Sequence, residues 1–427
     1  MWDTFDAAKI RNCDWIETIL ARSRNAPLHV KYRHPHMDRV VRLVSMSMAR
    51  IQDLELSLET YHHPRIEELL MAETAPLLQS LRLNSDDESF YGTECGGIHG
   101  FLNEVQMPRL HTMVVILFAL PPTIPMLPQL RRLTYVPPME GGVLGATMSS
   151  MLSFLRSAPS LERLEISGTF RSPDEGLEER TMTELPNLSF VFFVTMDFEN
   201  AALFRLFKYP PSSRVEFISH IPPANTALCT SHLEPILACT MESSDFVATV
   251  EAVTFVAVKG SYFSMLAAGP VGPVLEISFL RKDGDLATLF RLCAALPSSN
   301  AHTLRICGFS SITAADWAGL FGRYEQVREL TVDEVDGNFL CALFRSSRTG
   351  RPPFMRLKRL TLMHCDTKLG PTIVEQIIKE HRILDSPVDV LEIVDCRVMG
   401  DIISRLREYV EVEWDANMPD EVIEDED

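Results

Sequence analysis

A phrase of spaced leucines recurs along this chain and limits its fold more than any other feature. It reads LKRLTLMHC over residues 357–365 and VDVLEIVDC over residues 388–396. Shorter forms begin at Leu78, Leu130 and Leu161. Because strand side chains alternate, the fourth and sixth residues of each phrase point to the same side of a short strand. One such strand cannot bury its own apolar side, so the phrase predicts a stack of repeated units.

The spacing L-x-x-L-x-L-x-x-N/C is that of the strand half of a leucine-rich repeat. Cys365 and Cys396 occupy its last position, where we expect buried and unreactive corner residues. A last strand is expected at Val410–Trp414. The strands before it are counted from the first apolar residue of each L-x-L pair. These residues are Leu28, Leu54, Leu81, Met113, Leu133, Leu164, Val191, Val215, Val253, Leu275, Leu304, Leu330, Leu360 and Leu391. Successive positions in this series are 20 to 38 residues apart, which is typical of repeats with loop insertions.

Helical patterns lie between these strands. They cover Asp14–Arg22, Ile66–Ala72, Thr147–Ser157, Ala201–Lys208, Leu286–Leu296, Ala314–Tyr324, Pro371–Arg382 and Asp401–Tyr409. A proline turn such as Ala75-Pro76 or Ala158-Pro159 precedes many strands, because proline ends a helix and fixes φ. We therefore predict an α/β leucine-rich-repeat solenoid, curved, with parallel strands on the concave face and helices outside. A doubly wound α/β domain is the alternative, although such folds do not repeat one leucine phrase many times.

The pattern divides the chain into three parts. Residues 1–26 are expected to form an N-terminal helical cap, in which Trp15, Ile16, Ile19 and Leu20 share one face. Residues 27–414 are the predicted degenerate solenoid, whose repeat count is least regular over 210–273. Residues 415–427 are an acidic tail that we expect to be disordered and solvated.

Charge and cysteine content limit the possible partners and compartment. The formal net charge is −18, which argues against nucleic acid and anionic membranes, since both attract clustered Lys and Arg. The nine cysteines have no paired spacing, and no signal peptide is evident, so we expect a reduced cytoplasmic or nuclear setting. A monomer is the expected state of such a repeat array.

No local motif indicates catalysis. The sequence lacks a Walker A loop, an H-E-x-x-H pair and a G-x-S-x-G elbow. We therefore predict a protein without enzymatic activity, cofactor or metal. An enzyme would need a cluster of titratable groups assembled from distant residues.

The candidate binding residues are those that flank the leucines of each strand, because they face the concave side. They are Arg82, Val114, Ile116, Arg132, Arg163, Glu165, Phe190, Phe192, Glu329, Thr331 and Arg359. Most are polar, as is typical of a surface that binds a protein. Two strands place apolar side chains there, and an exposed apolar patch usually marks a contact site. The alternative is that a loop or the curvature of the chain itself covers them.

The opening of the chain resembles fungal, especially mushroom-type, F-box proteins with degenerate leucine-rich repeats. Met1-Trp2-Asp3 is similar to the end of their Leu-Trp segment. Leu20–Ser23 and Ala26–Val30 are similar to the helix end and the PL-x-V strand that follow. The repeated P-x-L-x-x-L-x-I strands continue the likeness to about residue 414.

This resemblance implies a function in ubiquitin ligation. In the family, the F-box binds a Skp-type adaptor of a cullin-based ligase, and the repeats hold the substrate. The F-box should lie upstream of Trp2, so Met1 is either a misplaced start or marks a loss of the adaptor-binding half. The predicted function is thus the substrate-binding region of an F-box-type receptor, and the alternative is a stand-alone repeat scaffold.

Overall fold

The protein is described from a computed structural model. The described residues are 4–6, 13–33, 44–58, 74–85, 106–118, 127–137, 147–168, 170, 182–195, 206–210, 212–219, 252–258, 262–269, 272–280, 301–309, 317, 324–335, 339, 342–343, 354–365, 370–383, 387–396 and 400–415. The chain forms two compact units, Met1–Val215 and Glu216–Asp427, called unit 1 and unit 2.

Unit 1 is a stack of parallel strands. Its elements are β1 (Thr4–Asp6), α1 (Cys13–Ser23), β2 (Leu28–Arg33), a 3-10 turn (Met48–Arg50), β3 (Ile51–Leu58), β4 (Ser80–Ser85), β5 (Thr112–Ile116), β6 (Arg132–Val136), α2 (Met148–Ser157), β7 (Arg163–Ser167), β8 (Thr183–Glu184), β9 (Phe190–Thr195) and β10 (Phe207–Lys208). From β1 to β7 each strand pairs in parallel with the next, and β7 then pairs with β9. β8 and β10 form a separate parallel pair.

Unit 2 repeats this arrangement after an antiparallel section. Its elements follow β11 (Arg214–Ser219) and are β12 (Ala252–Val258), β13 (Tyr262–Gly269), β14 (Gly272–Leu280), β15 (Thr303–Cys307), β16 (Glu329–Asp333), β17 (Arg359–Met363), α3 (Gly370–Ile383), β18 (Val390–Val394), α4 (Gly400–Leu406) and β19 (Glu411–Trp414). β12 pairs in parallel with β15, and the order continues through β19. Parallel strands therefore stack as successive turns of a solenoid in each unit.

A turn leads into most of these strands. In unit 1 the N–H of Leu78 donates to the carbonyl of Ala75 at 3.2 Å, and the same bond joins Leu161 to Ala158. Pro76 and Pro159 occupy the second turn position, where proline's fixed φ is already correct. In unit 2 the bond joins Leu357 to Phe354 without a proline. The prolines of unit 1 therefore favour a turn that the repeat forms in either case.

A left-handed residue follows several strands. The positive-φ residues Leu117, Gly168, Gly308, Glu334, His364 and Asp395 each come directly after a strand. The N–H of His364, for example, donates to the carbonyl of Val394 at 3.1 Å on the next strand. Left-handed backbone turns the chain sharply, so in these repeats the corner directs the chain away from the sheet at the same point.

The core of each unit is a ladder of the spaced leucines. Leu81, Leu133 and Leu164 are buried in unit 1, and their register partners on neighbouring strands are buried with them. In unit 2 the register aligns Leu330 with Leu360, and both are buried. An aromatic cluster extends this core, since Trp317 lies edge-on to Phe309 and Phe339 with centroids 5.7 Å and 4.9 Å away.

Four helices have described bounds, and each was predicted. Thr147 caps α2, because its hydroxyl accepts the N–H of Ser150 at 3.1 Å. In α3, Val374, Ile377 and Ile378 are buried at helical spacing, on the side that packs into the core. The face predicted for α1 is wrong at Trp15, whose residue is 59% exposed, whereas Ile16 is buried.

Several predicted helices are wrong or fall on residues that the structure does not describe. The helix expected over Ala201–Lys208 is wrong at Phe207 and Lys208, which form strand β10 and pair with β8. Residues 201–205 lie outside the described residues. The helices expected at Ile66–Ala72 and Leu286–Leu296 lie outside the described residues, as does all of Ala314–Tyr324 except Trp317 and Tyr324. The sequence also gave no sign of strand β1, which adds a strand to the predicted helical cap.

The parallel pairing expected throughout is wrong at β14. This strand contains Leu275, and it is antiparallel to β13, which is in turn antiparallel to β12. Only three residues separate β12 from β13, and two separate β13 from β14. Links this short join antiparallel strands, because a parallel crossover needs a dozen or more residues.

Candidate protein-binding face

The alternation of each strand creates a second surface beside the leucine core. We call the side chains that alternate with the buried ones the open face. In unit 1, Arg82, Val114, Ile116, Arg132, Arg163, Glu165, Phe190 and Phe192 all lie on the open face. In unit 2, Glu329, Thr331 and Arg359 lie on it. The structure thus brings the first eight candidates together on neighbouring strands, and the last three together on others.

Strand register arranges the open face of unit 1 in rows. One row runs through Thr112, Arg132, Arg163 and Phe190 at the amino-terminal ends of the strands. The next row runs through Arg82, Val114, Thr134, Glu165 and Phe192. Adjacent strands are about 4.8 Å apart, so side chains within a row are direct neighbours.

A valine patch occupies β5 and β6. It consists of Val114, Ile116 and Val136, all half-buried, and Ile116 faces Val136 in register. Sequence reasoning missed Val136 because the leucine phrase of this strand ends at Tyr135. Following the alternation one residue further would have found it.

A phenylalanine patch occupies β9. It consists of Phe190, Phe192 and Val194, and all three are half-buried. The guanidinium of Arg163 lies 4.1 Å from the centre of the Phe190 ring, and that of Arg214 lies 5.8 Å away. These cation–π contacts fix Phe190, whereas no ring contact involves Phe192 among the described residues.

A polar strand separates the two patches. On β7, Arg163 Nε donates to Glu165 Oε1 at 2.6 Å, and Thr134 Oγ1 on β6 donates to Glu165 Oε2 at 2.9 Å. Farther along the sheet, Lys31 pairs with Glu55 at 2.9 Å, and His29 pairs with Asp53. The apolar side chains therefore form two patches with charged borders, not one continuous surface.

Paired charges cross the open face of unit 2, which also carries the half-buried apolar residues Met363, Val390 and Val394. Arg359 Nη1 lies 3.1 Å from both Glu392 Oε2 and Glu413 Oε2, and these bonds raise the pKa of the guanidinium. Thr361 Oγ1 donates to the same Glu392 oxygen at 3.0 Å. Strand alternation predicts that Thr361 faces solvent, and this prediction is wrong, because the residue is only 7% exposed.

A second polar cluster lies at the corner after β16 and β17. His364 Nδ1 is 2.8 Å from Asp333 Oδ1, and Nε2 is 3.5 Å from Asp395 Oδ2. The hydrogen bond to Asp333 raises the pKa of His364. Arg305 Nη2 lies 3.7 Å from Asp333 and shares that carboxylate.

The corner cysteines are buried, as predicted, and they interact. Cys365 N–H donates to Cys396 Sγ at 3.4 Å, and Cys396 Sγ donates to the carbonyl of Leu362 at 3.4 Å. A hydrogen bond from the Cys365 thiol lowers the pKa of Cys396 to about 7, although burial opposes this. The same bond raises the pKa of Cys365. Both thiols are free.

The described part of the chain contains neither a metal-binding cluster nor a helix that could span a membrane. No group of three or more His, Cys, Asp or Glu is placed to hold a metal ion there. No described helix combines the length and the apolar character that crossing a membrane requires. The acidic tail beyond residue 415 lies outside the described residues.

Comparisons with known proteins identify no family. No family model matches the chain, and a search of curated proteins found no matching relative. The fold and the open face are therefore the basis for any functional conclusion.

Proposed function

We propose that this chain recognises a protein partner through the open face of unit 1. The observation that carries the proposal is the pair of apolar patches on that face. The valine patch and the phenylalanine patch place six half-buried apolar side chains on a face that is otherwise polar. Exposed apolar groups with a charged border are typical of the centre of a protein interface.

The repeats are proposed to be degenerate leucine-rich repeats with their helices outside the sheet. Three regular features support this: the leading turn, the short parallel strand and the left-handed corner. The buried corner cysteines Cys365 and Cys396 occupy the last position of the repeat phrase. Helix α2 also suits the arrangement, because it buries Met151, Leu152 and Leu155 on one side.

The partner is proposed to be a substrate of a ubiquitin ligase, with this chain as the substrate-binding region of an F-box-type receptor. The resemblance at the start of the chain supports this, since α1 ends at Ser23 and β2 begins at Leu28 in the order the family would have. The alternative is a stand-alone repeat scaffold without a ubiquitin role. Either function needs no catalytic group, cofactor or metal, and both are proposed for a monomer.

The binding experiment compares two aspartate substitutions. Phe192→Asp places a charge in the phenylalanine patch, and Val390→Asp makes the same change at a half-buried apolar residue on the open face of unit 2. Proteins that co-purify with the tagged chain from its native cells are quantified by mass spectrometry. We expect Phe192→Asp to remove a specific set that Val390→Asp retains, with little change in melting temperature for either variant.

Two outcomes would contradict this expectation. Equal recovery of every co-purifying protein with both variants would remove the open face of unit 1 from partner binding. A large loss of stability in Phe192→Asp would mean that Phe192 belongs to the core.

The ubiquitin role is tested separately, at the 5′ end of the native transcript. The receptor proposal requires an in-frame F-box upstream of Trp2 and co-purification of a Skp-type adaptor with the full-length product. If translation in the native cell begins at Met1 and no adaptor binds, the scaffold alternative replaces the receptor proposal.

A further inference from the structure

A groove with three arginines lies beside the valine patch in unit 1. It has a volume of about 710 Å³ and follows the amino-terminal ends of β4 to β7. Arg109 contributes from the turn before β5, Arg131 and Arg132 from the start of β6, and Glu162 from the residue before β7. We call this surface the arginine groove.

The charge of the groove is opposite to that of the chain. Three guanidinium groups face one carboxylate there, in a chain of net charge −18. Arg131 Nη1 is 3.5 Å from Glu162 Oε1. The side chains of Arg109 and Arg132 form no hydrogen bond or ion pair among the described residues, so two positive charges remain available. A concave surface lined by one sign of charge concentrates ions of the other sign.

The backbone of the groove is already occupied. The carbonyl of His111 accepts the N–H groups of both Arg131 and Arg132 at 2.9 Å. The carbonyl of Gln79 likewise accepts from His111 and Thr112, and that of Arg131 accepts from Glu162 and Arg163. A ligand therefore cannot add here as another strand. It must be bound by side chains, and guanidinium groups match carboxylates best, through paired hydrogen bonds.

The length of the groove fits a short extended peptide. Four strands at about 4.8 Å spacing span about 14 Å, and an extended chain covers about 3.4 Å per residue, so about four residues fit. A chain that leaves the groove across β5 and β6 passes Thr112 and Arg132 and then reaches Val114 and Ile116. Acidic residues next to apolar residues would thus match the groove and the valine patch together.

We propose that the arginine groove binds an extended acidic segment of a protein partner, with aspartate or glutamate carboxylates held by Arg109 and Arg132. The inference rests on the proposed function, because this segment belongs to the protein that the open face of unit 1 recognises. Since the groove supplies charge and the patch supplies apolar area, their contributions can be measured separately.

A labelled hexaglutamate peptide is the probe, and hexaglutamine is its neutral control. Fluorescence anisotropy with the full chain should detect hexaglutamate alone, with an affinity that falls as salt screens the charges. The Arg109→Gln/Arg132→Gln double variant should lose about tenfold in affinity, which corresponds to about 1.4 kcal/mol. Glutamine retains part of the aliphatic stem, and unchanged melting temperatures would verify that the fold is intact.

Arg328→Gln is the matched control variant. Arg328 is exposed and directly precedes β16, as Arg131 directly precedes β6, but it lies in unit 2. We expect Arg328→Gln to leave hexaglutamate affinity unchanged. The double variant removes two charges and Arg328→Gln removes one, so a loss of about threefold or more in Arg328→Gln would mean that the peptide responds to overall charge, and this would overturn the proposal.

Two further probes test other occupants. Tighter binding of an oligothymidylate of equal charge, lost in the double variant, would assign the groove to nucleic acid and overturn the proposal. The acidic residues of 420–427 can also be changed to their amides in the full chain. A rise of about tenfold in hexaglutamate affinity would identify the chain's own tail as the occupant, again against the proposal.

The failures of this inference and of the proposed function are distinguishable. If Phe192→Asp removes the partner while the double variant retains it and hexaglutamate does not bind, only the groove proposal fails. If hexaglutamate binds through Arg109 and Arg132 but neither variant changes co-purification, the groove binds acidic peptides and the proposed function fails.

Discussion

The open faces of the two units share one backbone plan and differ in chemistry. In unit 1, two apolar patches and the unpaired Arg132 lie on that face, whereas in unit 2 Arg359 is bonded to both Glu392 and Glu413. A face whose charges already bind one another has little left for a partner, because those bonds would have to be replaced. The comparison indicates that binding is encoded by side chains that the repeat does not constrain.

The core is where the two units should behave alike. Leu164 in β7 and Leu360 in β17 are both fully buried at the same position of the repeat. Leu164→Ala and Leu360→Ala should each lower the free energy of unfolding by about 2–5 kcal/mol, because each leaves a cavity among packed side chains. Urea denaturation measures both losses.

Thr331→Ala is the control for these two variants, since Thr331 is a half-buried open-face residue of unit 2. It should change the free energy of unfolding by about 0.5 kcal/mol or less. A loss as large as that of Leu360→Ala would contradict the assignment of core and open faces.

The two units should differ in how much stability a substitution costs at the corner after a strand. Gly168 in unit 1 has φ +142°, and an added Cβ would lie 2.7 Å from Pro137 Cγ. Gly168→Ala should therefore cost about 1–3 kcal/mol, through strained backbone and the clash with Pro137. Thermal unfolding monitored by circular dichroism measures this cost.

Glu334→Gly in unit 2 is the opposite change at a corner. Glu334 already has φ 50°, so glycine relieves strain while it increases the entropy of the unfolded chain. The two effects oppose each other, and we expect a change of about 0.5 kcal/mol or less. A Gly168→Ala variant as stable as Glu334→Gly would show that the corner in unit 1 has room for a side chain.

Thr361 should be the costlier of two threonines on the open face of unit 2. Its hydroxyl is buried and donates to Glu392, so Thr361→Ala should cost about 0.5–1.5 kcal/mol. Thr331→Ala, by contrast, breaks no side-chain hydrogen bond among the described residues. Equal costs in urea denaturation would mean that the Thr361–Glu392 bond contributes nothing to stability.

The sequence predicted the strands that carry the leucine phrase, because the phrase marks their buried positions, whereas β1, β8, β10 and β13 lack it and were missed. It could not predict that Thr361 is buried, because neighbouring Glu392 supplies its partner from another repeat, 31 residues away. It also placed Phe190 on the open face but not the arginines that stack on it. Contacts within a strand follow from its alternation, whereas contacts between repeats depend on register, which loop insertions obscure.

The arginine groove was beyond sequence reasoning for a similar reason. Arg132 was a candidate from its strand position, but Arg109 lies in a turn 23 residues earlier, and the two meet only through the parallel pairing of β5 and β6.

The antiparallel β13 was missed because its neighbours were assumed to follow the repeat. Its short links were visible in the sequence, and strand length alone could have located them.

The smallest expected effect concerns pH and belongs to unit 2. The hydrogen bond with Asp333 raises the pKa of His364 above 6.5, with further contributions from Asp395 and Glu334. A raised folded-state pKa stabilises the fold fully below the unfolded pKa, and this stability is lost as pH rises through the folded value. Stability attributable to His364 should therefore be fully present below about pH 6.5, the ordinary histidine pKa, and fall as pH rises through the raised folded-state pKa. The effect is small, because the side chain is nearly half exposed and solvent screens the pair.

His364→Asn isolates this contribution. Asparagine tolerates the left-handed φ of 48° at this corner and does not titrate, so the variant keeps the backbone and loses the charge. Urea denaturation of both proteins at a series of pH values gives two stability curves. Their difference removes the contribution of the other histidines, which both proteins share. The free energy of unfolding of the wild type should exceed that of the variant most at acidic pH, and the difference should shrink as pH rises. A difference that is the same at every pH would mean that His364 acts through its shape, and the charge pairing at this corner would then consist of Asp333 and Arg305 alone.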